Sequence, residues 1–311
     1  MNNLKAGPVF CVVTPFKDDG SIDFQGLEKY ISNCAEAGAD KFYVMAYNSR
    51  FSELSWDEIK SLNEFVIKTV KDIDSENFVL VADPLHCPTS TSLEFTQHAE
   101  KLGADMISLI FREKFYSDEQ VLEHFKLITE NSSLPILIHE MPLTSGFGGH
   151  TINWPIELLD KLASFENIKA IKEDAKDDKY SFDVISTIKD RLSIVISGGG
   201  KRQWMQFADL GCQNWLNGIG IFEPKLAINF WNAWQAGDKE YCNSMVTEVE
   251  APFFDDLVPK FGFHISIKAA LEAAGHFPRT ERLPMYPLSK DEFNYFRKEF
   301  EKIDYQKFLN Y

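Results

Sequence analysis

The sequence predicts an α/β protein, a (β/α)8 TIM barrel with a C-terminal helical extension. Three observations predict it: short β-rich apolar runs alternate with longer amphipathic stretches, the alternation repeats eight times, and the apolar runs are nearly continuous. Strands that alternate with helices pair in parallel through right-handed crossovers. Eight such units with strands apolar on both faces favour a closed barrel over an open sheet.

The units follow one another without a low-complexity linker. The first is PVFCVVT then FQGLEKYISNCAEAG, the second KFYVMA then SWDEIKSLNEFVIKTVKD, and the third FVLVAD then STSLEFTQHAEKLG. DMISLIF then SDEQVLEHFKLITE, PILIHEM then WPIELLDKLASF, and IKAIKE then YSFDVISTIKDR make the next three. LSIVISG then KRQWMQFADLG, and CQNWLNGI then PKLAINFWNAWQAG, complete the eight. AGAD at 37–40 and LGAD at 102–105 end two helices alike, with glycine as the residue beyond the helix and a strand starting at once. After residue 237 the alternation stops. Residues 1–237 are therefore read as the barrel and 238–311 as a helical region packed on it, with an alanine-rich helix at SIKAALEAAG and a last helix near KDEFNYFRKEF.

Bulk properties narrow the function. A formal charge of −15 disfavours a nucleic-acid backbone or an anionic membrane as the main partner, because both repel the chain at long range. Cys11, Cys34, Cys87, Cys212 and Cys242 lie far apart, are odd in number and form no C-x-x-C, which suggests neither a disulfide framework nor a zinc site. No segment approaches the roughly 20 apolar residues of a membrane span, and no leader pattern opens the chain. A cytoplasmic protein with reduced thiols and a small-molecule ligand is expected.

In a barrel of this kind the active site lies at the C-terminal mouth, so the residues just after each apolar run are candidates. These are Thr14 and Pro15, Tyr47 to Arg50, Asp83, Arg112 and Glu113, His139 and Glu140, Lys172 to Asp174, Ser197 to Gly200, and Asn217 to Gly220, with Leu216 closing the eighth run. Lys172 stands out. It follows the apolar run Ile168–Ile171, and an ammonium is costly to bury, so such a lysine either sits at the wet end of a strand, paired with Glu173 or Asp174, or does chemistry.

The opening GPVFCVVTPFKDDGSIDFQGLEKYI resembles the start of the dihydrodipicolinate synthase/N-acetylneuraminate lyase family, with its TPF-x-x-DG-x-ID-x-x-x-L pattern. IKAIKED resembles the segment that carries the family's Schiff-base lysine and matches Lys172. LPILIHEMP, LEHFKLI, ISGGG and IKAALEAAG…RLPM are similar to further family segments, in order, over nearly the whole chain. The resemblance implies a class I aldolase, lyase or dehydratase needing no cofactor and no metal, in which the Lys172 amine condenses with the ketone of pyruvate or a sugar-derived 2-oxo acid. The protonated imine is then an electron sink for the neighbouring carbanion. The resemblance also implies a homo-oligomer, dimer or tetramer.

Departures from the family pattern set the expectations for the other site residues. Where the family carries G-T-T-G-E-S, this chain has Ala46, Tyr47, Asn48, Ser49, Arg50 and Phe51. Tyr47 replaces a relay hydroxyl in a different place, and Asn48 with Ser49 become the candidate carboxylate binders. The family's proton-passing tyrosine is replaced by His139, which is either a general acid/base of shorter reach or a histidine hydrogen-bonded to Glu140 without a catalytic role. Thr144 stands where the synthases place an arginine, which argues against aspartate semialdehyde as second substrate. Phe111, Arg112 and Glu113 replace the family's PYY, whose second tyrosine reaches a neighbouring subunit. Arg50 and Arg112 are candidate carboxylate clamps, since a guanidinium binds a carboxylate bidentately. Ser197 and Gly198, in a glycine-rich turn, complete the substrate-binding candidates. Two alternatives stay open: 4-hydroxy-tetrahydrodipicolinate synthase activity, and a retired barrel that binds a ligand without turnover.

Overall fold

Eight parallel strands close into a barrel in the order β1 (Gly7–Cys11), β10 (Asn214–Leu216), β9 (Ser193–Ile196), β8 (Ile168–Glu173), β5 (Ile136–Glu140), β4 (Met106–Leu109), β3 (Phe78–Ala82), β2 (Lys41–Tyr43). The computed structural model describes residues 4–44, 53–85, 87–111, 116–140, 143–144, 151–175, 177–197 and 201–311. Nearly every strand residue is buried, because one face packs inside the barrel and the other under a helix. That is why the strands read as continuous apolar runs.

Helices α1 Phe24–Glu36, α2 Trp56–Ile73, α3 Thr89–Leu102, α4 Asp118–Asn131, α5 Ile156–Leu162, α6 Asp178–Ile188, α7 Lys201–Phe207 and α8 Pro224–Gln235 form the outer layer. Ser55 and Ser117 start α2 and α4 with capping boxes, each side chain accepting from the N3 amide while Glu58 or Gln120 reaches back. Gly38 and Gly103 end α1 and α3 at φ +108° and +82°, a backbone region closed to most side chains. At the seam, the Asn214 side-chain amide donates to the Lys5 and Gly7 carbonyls at 2.6 and 3.1 Å, and Asn217 Oδ1 accepts from the Cys11 amide at 3.2 Å.

Trp215 of β10 packs outward on Trp204 and Phe230, with ring centroids 4.4 and 5.6 Å away. Strand side chains alternate in direction, so its neighbour Leu216 faces the barrel interior.

A short antiparallel hairpin, β6 Leu143–Thr144 and β7 Thr151–Ile152, interrupts the path from β5 to α5 and has no counterpart in the eightfold reading. The chain after α8 carries α9 Lys239–Met245, two π-helical turns at Val246–Glu250 and Pro252–Leu257, α10 Val258–Phe261, α11 Phe263–Ala273 and α12 Lys290–Phe300. Pro252 has no N–H to donate, which fits a widened helix around it. This region grips the barrel at two places. Phe222, just past β10, meets Phe253 and Phe300 with centroids 5.0 Å away in each case. Lys268 Nζ donates to the Thr14 carbonyl at 2.8 Å and pairs with Glu281 at 3.1 Å, both side chains being 1% exposed.

Candidate active site

The register of β5 on β8 sets His139 opposite Lys172 and Glu140 opposite Glu173. Side chains opposed across parallel strands point the same way, and neighbours along a strand point oppositely. His139 and Lys172 therefore face inward together at the C-terminal end of the barrel. Lys172 Nζ lies 3.0 Å from His139 Nε2 and donates to Asp174 Oδ2 at 2.8 Å, and that oxygen stands 3.8 Å from Nε2. His139 is fully buried, Lys172 is 3% exposed, and the Asp174 side chain, one residue past the strand, is 19% exposed. The three groups thus run from a dry floor to a wet rim.

The outward carboxylates serve the structure. Glu173 accepts from the Ala175 amide at 2.8 Å and the Ser181 hydroxyl at 2.9 Å. Glu140 accepts from the Trp154 amide at 3.2 Å, and Tyr180 donates its hydroxyl to the Trp154 carbonyl at 2.8 Å. Glu140, counted above among the candidates at the barrel mouth, is therefore directed away from Lys172 by the strand's alternation. Ser197, buried just after β9, and Leu216 lie in the interior-facing phase of their strands. Tyr47, Asn48, Ser49, Arg50, Arg112, Glu113 and Gly198, as well as the Thr144 side chain, fall outside the described residues; the backbone of Thr144 lies in β6.

Two interior groups escaped the sequence reading. Tyr43 donates its hydroxyl to Ser108 Oγ at 2.7 Å across the barrel interior, from β2 to β4. Burial pushes the Tyr43 phenol far above its usual range, with the Asp83 and Asp174 carboxylates adding to the effect, so it stays protonated. Their only signal was polarity at positions flanked by apolar residues.

Beside the mouth, a cavity of about 520 Å³ opens between the β3–α3 and β4–α4 loops, lined among others by Asp83, Cys87, Thr89, Phe111, Tyr116 and His124. Asp83 accepts from the Ser92 hydroxyl at 2.6 Å and the Ile110 amide at 3.0 Å, yet its burial pushes its carboxyl up to about 6. Burial lowers His124 to about 4 and raises the Cys87 thiol to about 12. Among the described residues, no group of three histidine, cysteine or carboxylate side chains could hold a metal ion, and no helix is long and apolar enough to cross a membrane.

An eight-stranded parallel barrel with a buried amine, an imidazole and a carboxylate gathered at its C-terminal mouth defines a lysine-centred barrel protein. Residues 5–303 match the model of the Dihydrodipicolinate synthetase family, and the chain belongs to that family of aldolases and lyases. It is 26% identical to a 4-hydroxy-tetrahydrodipicolinate synthase of Chlorobaculum parvum, covering 97% of this chain and 98% of that protein. An uncharacterized DapA-like lyase of Pyrococcus furiosus is also 26% identical, over 94% of this chain and 95% of the relative. The fold matches that of an E. coli K12 prophage protein of the dihydrodipicolinic acid synthase family, solved in complex with pyruvate. There the TM-score is 0.83 at 22% identity, covering 96% of this chain and 99% of that one. A dihydrodipicolinate synthase from Bacteroides thetaiotaomicron matches with TM-score 0.83 at 20% identity, over 97% and 99%.

Proposed function

We propose that the protein is a class I Schiff-base aldolase or lyase that makes or breaks a carbon–carbon bond in pyruvate or a sugar-derived 2-oxo acid, with Lys172 as nucleophile and His139 as its proton partner. The observation that carries this reading is the 3.0 Å contact between Lys172 Nζ and His139 Nε2 in a buried site at the barrel mouth. A neutral imidazole holding its proton on Nδ1 offers Nε2 as acceptor to the amine, which keeps an ammonium proton within reach of a base. The amine attacks the ketone carbon, and the resulting carbinolamine loses its oxygen as water after His139 returns a proton. The protonated imine left behind accepts the electron pair of the bond that breaks next. Asn48 and Ser49 would hold the substrate carboxylate, and Tyr47 would supply a hydroxyl. The working form would be a cytoplasmic homo-oligomer, dimer or tetramer.

The 26% identity to a protein named 4-hydroxy-tetrahydrodipicolinate synthase favours a second reading, that activity itself. Thr144, in the place of the synthases' arginine, weighs against it. The test is borohydride reduction of the protein incubated with pyruvate, followed by peptide mapping. An adduct on Lys172 is expected. A folded protein that yields none, with pyruvate or with longer 2-oxo acids, would overturn the imine reading and leave a ligand-binding barrel in its place.

A further inference from the structure

Asp174 is the one carboxylate that the described structure places on the lysine amine, and sequence reading weighed it only as a possible ion-pair partner. Lys172 and Asp174 are two residues apart, so the strand's alternation sends both side chains inward, and Oδ2 meets Nζ at 2.8 Å. A purely electrostatic partner could have been supplied by Glu173 or Glu140, but those are turned to the helix side and held by Ala175, Ser181 and Trp154. Asp83 is held by Ser92 and Ile110. Asp174 also sits at the exposed rim, while His139 lies fully buried beneath it, so a ketone entering from solvent meets the amine on the side where Asp174 stands.

We propose that Asp174 is a catalytic base that removes and returns the C3 proton of the 2-oxo acid bound as an imine on Lys172. This assignment rests on the Schiff-base reading above and extends it. In the imine, C2 is bonded to Nζ and C3 is bonded to C2, so a carboxylate within hydrogen-bond distance of Nζ is also within reach of a proton on C3. The C3–H bond breaks, its electron pair becomes the C2–C3 double bond, the C2–N π pair moves to Nζ, and the proton goes to Asp174. A cationic imine and a carboxylate become a neutral enamine and a carboxylic acid. At the buried Lys172 nitrogen, that step removes an iminium charge that is costly to keep there, which lowers its barrier. The division of labour follows from position: His139 serves the nitrogen and the departing oxygen from below, and Asp174 serves the carbon from the rim. The chemistry requires only a 2-oxo acid with hydrogen at C3, and pyruvate itself suffices as probe.

Pyruvate methyl protons exchanging into D2O, followed by NMR, report the step without any second substrate, and borohydride trapping reports the imine separately. Wild type, Asp174→Asn and Asp174→Ala are each expected to trap pyruvate on Lys172. Exchange should fall in both variants by about 10²–10⁴-fold, the usual worth of a positioned base. Added formate should restore part of the exchange in Asp174→Ala, where it fits the vacated space, and not in Asp174→Asn. Trapping in all three proteins with exchange in Asp174→Asn within about threefold of wild type would overturn Asp174 as the base and leave the imine reading intact. Loss of trapping in both variants would also overturn it, by moving the role of Asp174 to imine formation. No adduct on wild type would remove the imine and this assignment with it.

Discussion

Lys172 Nζ and His139 Nε2 lie 3.0 Å apart, on residues 33 positions distant in the chain and opposite one another on adjacent strands. Because imidazole is the buried neighbour of the amine, replacing it should slow proton transfer rather than weaken ligand binding. His139→Phe is expected to lower the rate of imine formation with pyruvate by about 10²-fold, with pyruvate affinity changed by only a few-fold. Rapid-quench trapping over a range of pyruvate concentrations separates the two effects. An unchanged rate would take histidine out of the mechanism.

Removal of the amine is a harsher test. Lys172→Ala should abolish the borohydride adduct and lower turnover by at least about 10³-fold, while circular dichroism and the unfolding midpoint still report a folded barrel. Appreciable cleavage of any 2-oxo acid by this variant would exclude a lysine mechanism.

The cavity beside the mouth makes stability depend on pH through two opposed groups. Burial raises Asp83 from 3.8 to about 6 and lowers His124 from 6.5 to about 4. Native Asp83 keeps a proton between about pH 4 and 6 that the unfolded chain has lost, so its contribution is present below about pH 4 and fades as pH rises through 6. The unfolded chain protonates His124 below 6.5 while the native state resists to about 4, so that contribution is present above 6.5 and is lost as pH falls. Between pH 4 and 6 the two slopes cancel. Asp83→Asn should leave the histidine slope alone, so that stability relative to wild type falls on acidification by about 1.4 kcal/mol per pH unit. His124→Gln should show the reverse sign. Urea midpoints from pH 4 to 7 decide it, and an Asp83→Asn curve parallel to wild type would contradict the raised carboxyl.

The clamp between the C-terminal region and the first strand's end is a buried ion pair, Lys268 with Glu281, closed onto the Thr14 carbonyl and set 4.9 Å from the Phe16 ring centroid. Lys268→Met alone removes one charge of a buried pair in a site that is 1% exposed, and should cost about 3–5 kcal/mol. Lys268→Met with Glu281→Leu removes both charges and should recover most of that loss. A double variant no more stable than the single one would show that the Thr14 contact, and not the loss of charge balance, carries the energy.

Much of this architecture was legible because it depends on patterns local in sequence. The strands announce themselves as apolar runs, the glycines at 38 and 103 mark helix ends, and Lys172 stands out because an amine directly after Ile168–Ile171 contradicts its surroundings. What was not legible depends on register. Whether Lys172 stands opposite His139 or opposite Glu140 depends on a register shift between Ile136 and Leu137 in the β5–β8 pairing, and no local pattern encodes that shift. The same alternation sends Glu140 to Trp154 and brings Asp174 back to Lys172. Tyr43 and Ser108 were hidden for a related reason: a hydroxyl inside an apolar run reads as packing until its partner two strands away is known. The β6–β7 hairpin is only two residues wide on each side, too short for any periodicity to show.

Phe222 tests whether residues 238–311 fold together with the barrel. It is fully buried just after the 3₁₀ turn that follows β10, and it touches Phe253, Phe300 and Tyr305, which belong to three separate segments of the C-terminal region. Truncating one ring therefore removes contacts from the barrel end and from all three segments at once. Phe222→Ala should cost about 3–5 kcal/mol, the range for a large aromatic lost from a packed core. If the two regions form one cooperative unit, that cost appears as a single unfolding transition at lower denaturant, with the tryptophans of the barrel wall and far-UV helix signal changing together. The tryptophan probe is suitable because Trp204 and Trp215 lie on the barrel and its helix layer, while the sequence after residue 237 contains no tryptophan. A helix signal that melts ahead of tryptophan fluorescence would mean that the C-terminal helices unfold on their own and that the Phe222 cluster is a docking contact between two separately stable regions.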